Sequence, residues 1–183
     1  MDDKRDDKRD DKIANDDAIA ALAARLGEAL KAQGLLLATA ESCTGGWVGQ
    51  AVTAISGSSS WYDRGHITYS NEAKNEMLGV SLETLSLFGA VSEETAREMA
   101  NGTLAHSHAQ ASLAITGVAG PTGGTPRNPV GTVCFAWAVR RPAAQAITCV
   151  TLRHRFDGDR DAVRRQAVLH AMAGMLAHLE ANP

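Results

Sequence analysis

The apolar run Leu35-Leu36-Leu37-Ala38-Thr39-Ala40 leads straight into Glu41-Ser42-Cys43-Thr44-Gly45-Gly46, and Trp47-Val48-Gly49-Gln50-Ala51-Val52 follows. A short apolar run bounded by turn residues reads as a buried strand. The segment behind Gly46 reads as the start of a helix. A strand that hands over to a helix in so few residues points to a sheet with helices laid on its faces. It also places Ser42 at a strand-to-helix turn. There a side-chain oxygen can point out of the sheet's carboxyl edge, and unpaired N–H groups at the helix start can face a developing negative charge.

The rest of the chain repeats this alternation. Asn15-Asp16-Asp17 offers caps for a first helix, with Ile19, Leu22, Leu26, Ala29 and Leu30 at helical spacing and Gly34 as its stop. Helix is expected over about 45–55, a Ser/Gly loop over 56–60 and strand over 61–69. Ser70 caps a short helix that carries Lys74 and closes at Gly79. Ser81 opens another short helix, and Ser92 a longer one to about His106. Ala111 to Thr116 reads as a strand of small residues, followed by a Gly/Pro-rich loop over 117–129. Two strands, over 130–139 and 146–154, flank Arg140-Arg141-Pro142, a connection short enough for an antiparallel pair. Asp159 starts a last amphipathic helix. The prediction is a three-layer α/β/α sandwich on a mixed, largely parallel sheet of about five strands. Ligands in such folds bind beyond the carboxyl ends of the strands.

Residues 1–14 repeat Asp-Asp-Lys-Arg and bury nothing, so they read as a charged disordered tail, with one domain over 15–183. A net charge of −3 argues against a general nucleic-acid binder. Cys43, Cys134 and Cys149 make an odd count without paired spacing, as reduced thiols in the cytoplasm would. No stretch is apolar enough to cross a membrane, and no signal-peptide core is present. A homo-oligomer stays open. His106-Ser107-His108 has the look of a metal pair but lacks a third ligand nearby, so a solvated helix end is the simpler reading.

Three loops hold the unusual residues: Glu41 to Gly46, Thr68 to Lys74, and Thr116 to Gly124. No His–Asp pair at recognisable spacing accompanies Ser42. Lys74 is the nearest candidate base, and it works only if burial or a neighbouring cation brings its pKa down toward neutrality. Serine–lysine pairs are known variants of triad chemistry. Tyr69 could relay a proton, and Cys43 could replace Ser42 as nucleophile. Glycines in the first and third loops allow backbone N–H groups close to a ligand. The third loop lacks the lysine-Ser/Thr ending of a phosphate-binding P-loop and leads into a strand, so it is no dinucleotide fingerprint either. Arg160, Arg164 and Arg165 read as an exposed face of the last helix, with a phosphate role for one of them as the alternative.

The segments ESCTGG, TYSNEAK, Gly89-Ala90-Val91-Ser92, ITGVAGPTGG and Asn128-Pro129-Val130-Gly131 occur in this order, with Phe156 to Arg160 and Arg164 behind them. Each is weak alone. Together they resemble the CinA C-terminal family over about Ala18 to Leu179. The resemblance implies an amidohydrolase, since stand-alone members of that family are nicotinamide mononucleotide deamidases. It implies Ser42 as nucleophile, Lys74 as general base and Tyr69 as a third catalytic group, working through an acyl-enzyme without cofactor or metal. Amides of Thr44 to Gly46 would then hold the oxyanion. Glu41, Thr44, Gly45, Gly46, Asn71, Thr116, Gly117, Ala119 and Gly120 are the substrate-binding candidates. The competing reading is a non-catalytic nucleotide-binding or regulatory module of the competence/damage-inducible type. Such a module has no need of a neutral lysine beside a serine.

Overall fold

The structure is a computed structural model that describes residues 3–141 and 146–181, with side chains described from Asp16 onward. Five strands form one sheet in the order β2-β1-β3-β4-β5: β1 (Leu37–Glu41), β2 (Tyr62–Ile67), β3 (Ala111–Gly117), β4 (Thr132–Arg140) and β5 (Ile147–Arg155). The pairs β1–β2 and β1–β3 are parallel, whereas β3–β4 and β4–β5 are antiparallel. Only β4 therefore runs against the rest. The helices are α1 (Asp3–Ala32), α2 (Trp47–Thr53), α3 (Asn71–Leu78), α4 (Leu82–Leu87), α5 (Glu93–Ala105) and α6 (Arg160–Ala181). The expected sandwich is the fold found.

Strand alternation sorts the core by size. Val133, Phe135, Trp137 and Val139 of β4 and Leu113 and Ile115 of β3 meet α1, α2 and α6 on one face. Cys134, Ala136 and Ala138 of β4, with Ala114 of β3 and Ala40 of β1, meet α5 and the short helices on the other. The first face packs large side chains, including the parallel rings of Phe135 and Trp137 at 5.7 Å. The second is lined by small ones, which lets α5 lie close to the sheet.

Helix starts follow the caps read from sequence. The hydroxyls of Ser70, Ser81 and Ser92 accept from the backbone N–H groups of Ala73, Thr84 and Thr95. The first helix differs: it begins at Asp3 and not at 15–17, so the charged repeat continues α1 where a disordered tail was expected. The side chains of residues 3–15 lie outside the described residues, and the division at residue 14 remains a proposal.

The topology positions the site. The link from β1 to its neighbour β2 carries α2 on one face of the sheet, while the link from β2 to β3, on the other side of β1, carries α3–α5 on the opposite face. The connections that leave the carboxyl ends of β1 and β2 thus diverge to opposite faces of the sheet, the setting of a switch-point crevice. Among the described residues, no helix is long and apolar enough to cross a membrane.

Candidate active site

Ser42 follows β1 directly, and both neighbouring strands hold it. Its N–H donates to Ile115 O of β3 at 3.0 Å, while Thr68 N–H donates to Glu41 O at 2.8 Å from the β2 side. The serine is therefore an extension of the sheet and not a mobile loop residue. Gly46, at φ 94°, then turns the chain into α2, a conformation that favours glycine.

Glu41 organises the turn from inside. Its carboxylate is 1% exposed and accepts from Thr44 Oγ1 at 2.7 Å, Gly46 N at 3.0 Å, Val48 N at 3.1 Å and Gly49 N at 2.9 Å. These are the donors that a helix start leaves unsatisfied. Gly45 N–H donates to Ser42 O at 3.0 Å. Of the amides expected to meet an oxyanion, those of Gly45 and Gly46 are already committed within the turn.

Lys74 faces Ser42 from α3. It sits four residues before Leu78, so the two share a helix face, and both are buried. The lysine occupies a position that would ordinarily hold an apolar residue. Its Nζ lies 3.2 Å from Ser42 Oγ and donates to Thr68 O at 2.8 Å. No carboxylate pairs with it among the described residues. Burial, the largest influence, brings its pKa down from 10.5 to about 8. In the neutral form the same separation lets the Ser42 O–H donate to Nζ. Burial pushes the Cys43 thiol the other way, up to about 12, so it remains a protonated, unreactive thiol near neutrality.

Ser42, Cys43 and Lys74 open on a cleft of about 290 Å³, at the small end of ligand pockets. The cleft brings together Tyr69, Asn71, Thr116, Gly117, Ala119 and Gly120 from the second and third loops, along with Ala90 and Val91. Glu41, Thr44, Gly45 and Gly46 do not line it. Glu41 and Thr44 are buried behind the turn, and the two glycines border a second cavity of about 790 Å³. Thr116 is also turned inward, its hydroxyl donating to Ala90 O at 2.7 Å. Sequence reasoning left Ala90 and Val91 out of the site. They sit in a motif of small residues, and nothing in their spacing marks a ligand.

The three arginines do not form one exposed face. Arg160 lines the cleft, with Nη1 donating to Gly120 O at 2.8 Å and Nη2 to Tyr69 Oη at 3.0 Å. Arg164 reaches the Ser42 turn. Arg165 is buried and pairs with Asp16 and with Asp161. No group of three or more His, Cys, Asp or Glu side chains among the described residues could hold a metal ion. His106 instead uses Nδ1 at 2.9 Å from Gly102 O at its own helix end.

An α/β sandwich with a buried serine–lysine pair at a strand-end switch point has the parts of an acyl-transfer site. The family model of the CinA C-terminal domain matches residues 19–179, and the chain belongs to that family. It is 51% identical over 157 residues to the nicotinamide-nucleotide amidohydrolase PncC of Escherichia coli K12, covering 86% of this chain and 92% of the relative. The protein of the same name from Pseudomonas putida is 46% identical over 160 residues, covering 87% and 96%. Among solved structures, a competence-damaged protein (CinA) superfamily protein from Klebsiella pneumoniae superposes with a TM-score of 0.83 at 44% identity, covering 89% of this chain and 98% of that one. The competence/damage inducible protein CihA of Agrobacterium tumefaciens gives 0.81 at 43% identity, covering 89% and 96%.

Proposed function

We propose that this chain is an amidohydrolase that converts nicotinamide mononucleotide to nicotinate mononucleotide and ammonia through a serine acyl-enzyme. The observation that carries the reading is the 3.2 Å approach of a buried lysine amine to Ser42 Oγ in a cleft. The names of the relatives supply the substrate class.

Neutral Lys74 takes the proton of the Ser42 hydroxyl as Oγ bonds to the carboxamide carbon. The C–N bond then breaks, and the leaving nitrogen takes the proton from the Lys74 ammonium and departs as ammonia. Water attacks the acyl ester and passes a proton to Lys74, which returns it to Ser42 Oγ as the ester C–O bond breaks. The nicotinic acid released gives its own proton to solvent and leaves as the carboxylate. The amide of Cys43, the residue after the nucleophile, is the natural first oxyanion donor, as in other strand–turn–helix nucleophile sites. Arg160 stands at the rim beside Tyr69, where it can meet the substrate phosphate with a planar fork of donors. Tyr69, which shares a hydrogen bond with Arg160, is placed to orient that contact or to relay a proton to the leaving nitrogen. Nothing in this scheme calls on a metal. The three described thiols are free, in keeping with a reducing cytoplasm.

The test is ammonia release from nicotinamide mononucleotide by purified protein, before and after dialysis against a chelator. Equal turnover in both is expected. No release at all would leave the regulatory-module reading standing, and release that needs a restored divalent ion would end the metal-free scheme.

A further inference from the structure

We infer that Arg164 is a positioning residue that holds the Ser42 turn in register with Lys74 by binding the turn's outward carbonyls. The inference rests on Ser42 as the nucleophile.

The turn has two sets of backbone groups to satisfy. Glu41 takes N–H groups on the inner side. On the outer side, the carbonyls of Cys43 and Thr44 lie ahead of α2, whose first i→i−4 bond runs from Gln50 N to Gly46 O at 2.9 Å. No helical amide reaches them. Arg164 does, with Nε donating to Cys43 O at 3.1 Å and Nη2 to Thr44 O at 2.8 Å. One rigid fork spans two successive carbonyls, a geometry that a single ammonium cannot reproduce. The guanidinium also lies 5.2 Å from the centre of the Trp47 ring, at the first residue of α2. The neighbouring Arg165 takes the carboxylates of Asp16 and Asp161, leaving Arg164 to the turn.

Arg164 comes from α6, so the contact ties the nucleophile turn to the last helix across 120 residues of chain. It borders the larger cavity, on the opposite side of the turn from the cleft, and does not line the cleft where substrate would sit. Its role therefore lies in the placement of Ser42. At 3.2 Å the Ser42–Lys74 contact is already at the long end of a hydrogen bond, so a small outward shift of the turn breaks it.

The experiment measures turnover, KM, thermal midpoint and the pH profile of kcat for Arg164→Met and Arg164→Lys, with Ser42→Ala alongside. Loss of alignment should lower kcat by about tenfold to a hundredfold in both arginine variants. KM should stay within about threefold, because no substrate contact is removed. The pH midpoint of the residual activity should stay at the wild-type value, since Lys74 keeps its burial. The lysine variant retains stem and charge over Trp47, so it decides the matter if the methionine variant does not fold. Wild-type kcat in the lysine variant would overturn the proposal, as charge alone would then suffice. A raised KM at unchanged kcat would overturn it too, by making Arg164 a substrate contact. An active Ser42→Ala would sink the nucleophile reading itself, whatever the arginine variants do.

Discussion

Two hollows share the Ser42 turn as a wall, and the smaller is the one that holds the Ser42–Lys74 pair. In the cavity of about 790 Å³ between α1, α2 and α6, Arg165 pairs with both Asp16 and Asp161, while Arg164 binds the turn carbonyls. The cleft of about 290 Å³ holds a hydroxyl, a phenol and two cations, Lys74 and Arg160, whose hydrogen-bond partners are carbonyl and hydroxyl oxygens. A buried amine facing only neutral oxygens is driven toward the neutral form. The comparison teaches that a lysine left without an acid, more than the space around it, singles out the cleft proposed for the reaction.

The harshest way to break this contrast is to remove the cleft's nucleophile. Ser42→Ala should lower kcat by about a thousandfold or more, with the thermal midpoint unchanged. Cys43→Ala should keep most activity, because a thiol held near pKa 12 supplies no thiolate at neutral pH. An active serine variant beside a dead cysteine variant would reverse the assignment.

Next comes the base. With Lys74 titrating near 8, its neutral fraction, and with it kcat, should rise about tenfold per pH unit below that value and level off above it. The linkage carries the matching sign. Between about 8 and 10.5 the unfolded lysine is protonated and the folded one is not, so stability should rise with pH across that window. Below it the buried ammonium is a burden on the fold. Lys74→Met should thus be inactive without losing thermal stability at pH 7. Lys74→Arg should be inactive because arginine keeps its proton. Near-normal turnover of the arginine variant would make Lys74 an electrostatic contact and not a base.

A milder break lies in the wall between the hollows. Glu41→Gln places an amide N–H₂ among four donors, at a cost of about 1–3 kcal/mol in unfolding free energy. Denaturant titration measures the loss, and kcat should fall with it as the turn loosens. An unchanged midpoint would mean that the carboxylate is not what holds α2 in place.

The smallest effect belongs to the charged repeat at the start of α1. Removing residues 1–12, the charged repeat, should leave melting temperature and turnover unchanged, since such a repeat offers no apolar surface to bury. A fall of several degrees, or a new size on gel filtration, would show that this part of α1 packs on the domain.

Much of this molecule is legible along the chain. Ser70, Ser81 and Ser92 start their helices where side-chain caps demand, and the apolar runs become the strands, because these signals act over a few residues. The pairing of Ser42 with Lys74 is partly legible: the serine sits at a strand end, and the lysine lies on the short helix behind the next strand, where it shares a face with Leu78. The division of labour within ESCTGG is not. Glu41 looks like a ligand for substrate, yet it is spent on the amides of its own turn. The start of α1 was also misplaced, because the Asn15-Asp16-Asp17 capping signal sits inside a helix that runs on through the charged repeat.

By itself the sequence determined the order of elements, the sandwich they form, and the three loops that hold the reactive residues, because propensity, capping and periodicity are local. Only the tertiary structure decided which of those residues meet and in what state. Lys74 became a candidate base through burial against Thr68 O and Ser42 Oγ, and Arg160, Arg164 and Arg165 took three different tasks though they lie within two turns of one helix. Burial and long-range contact set these roles, and both depend on what the sheet brings alongside each side chain from distant parts of the chain.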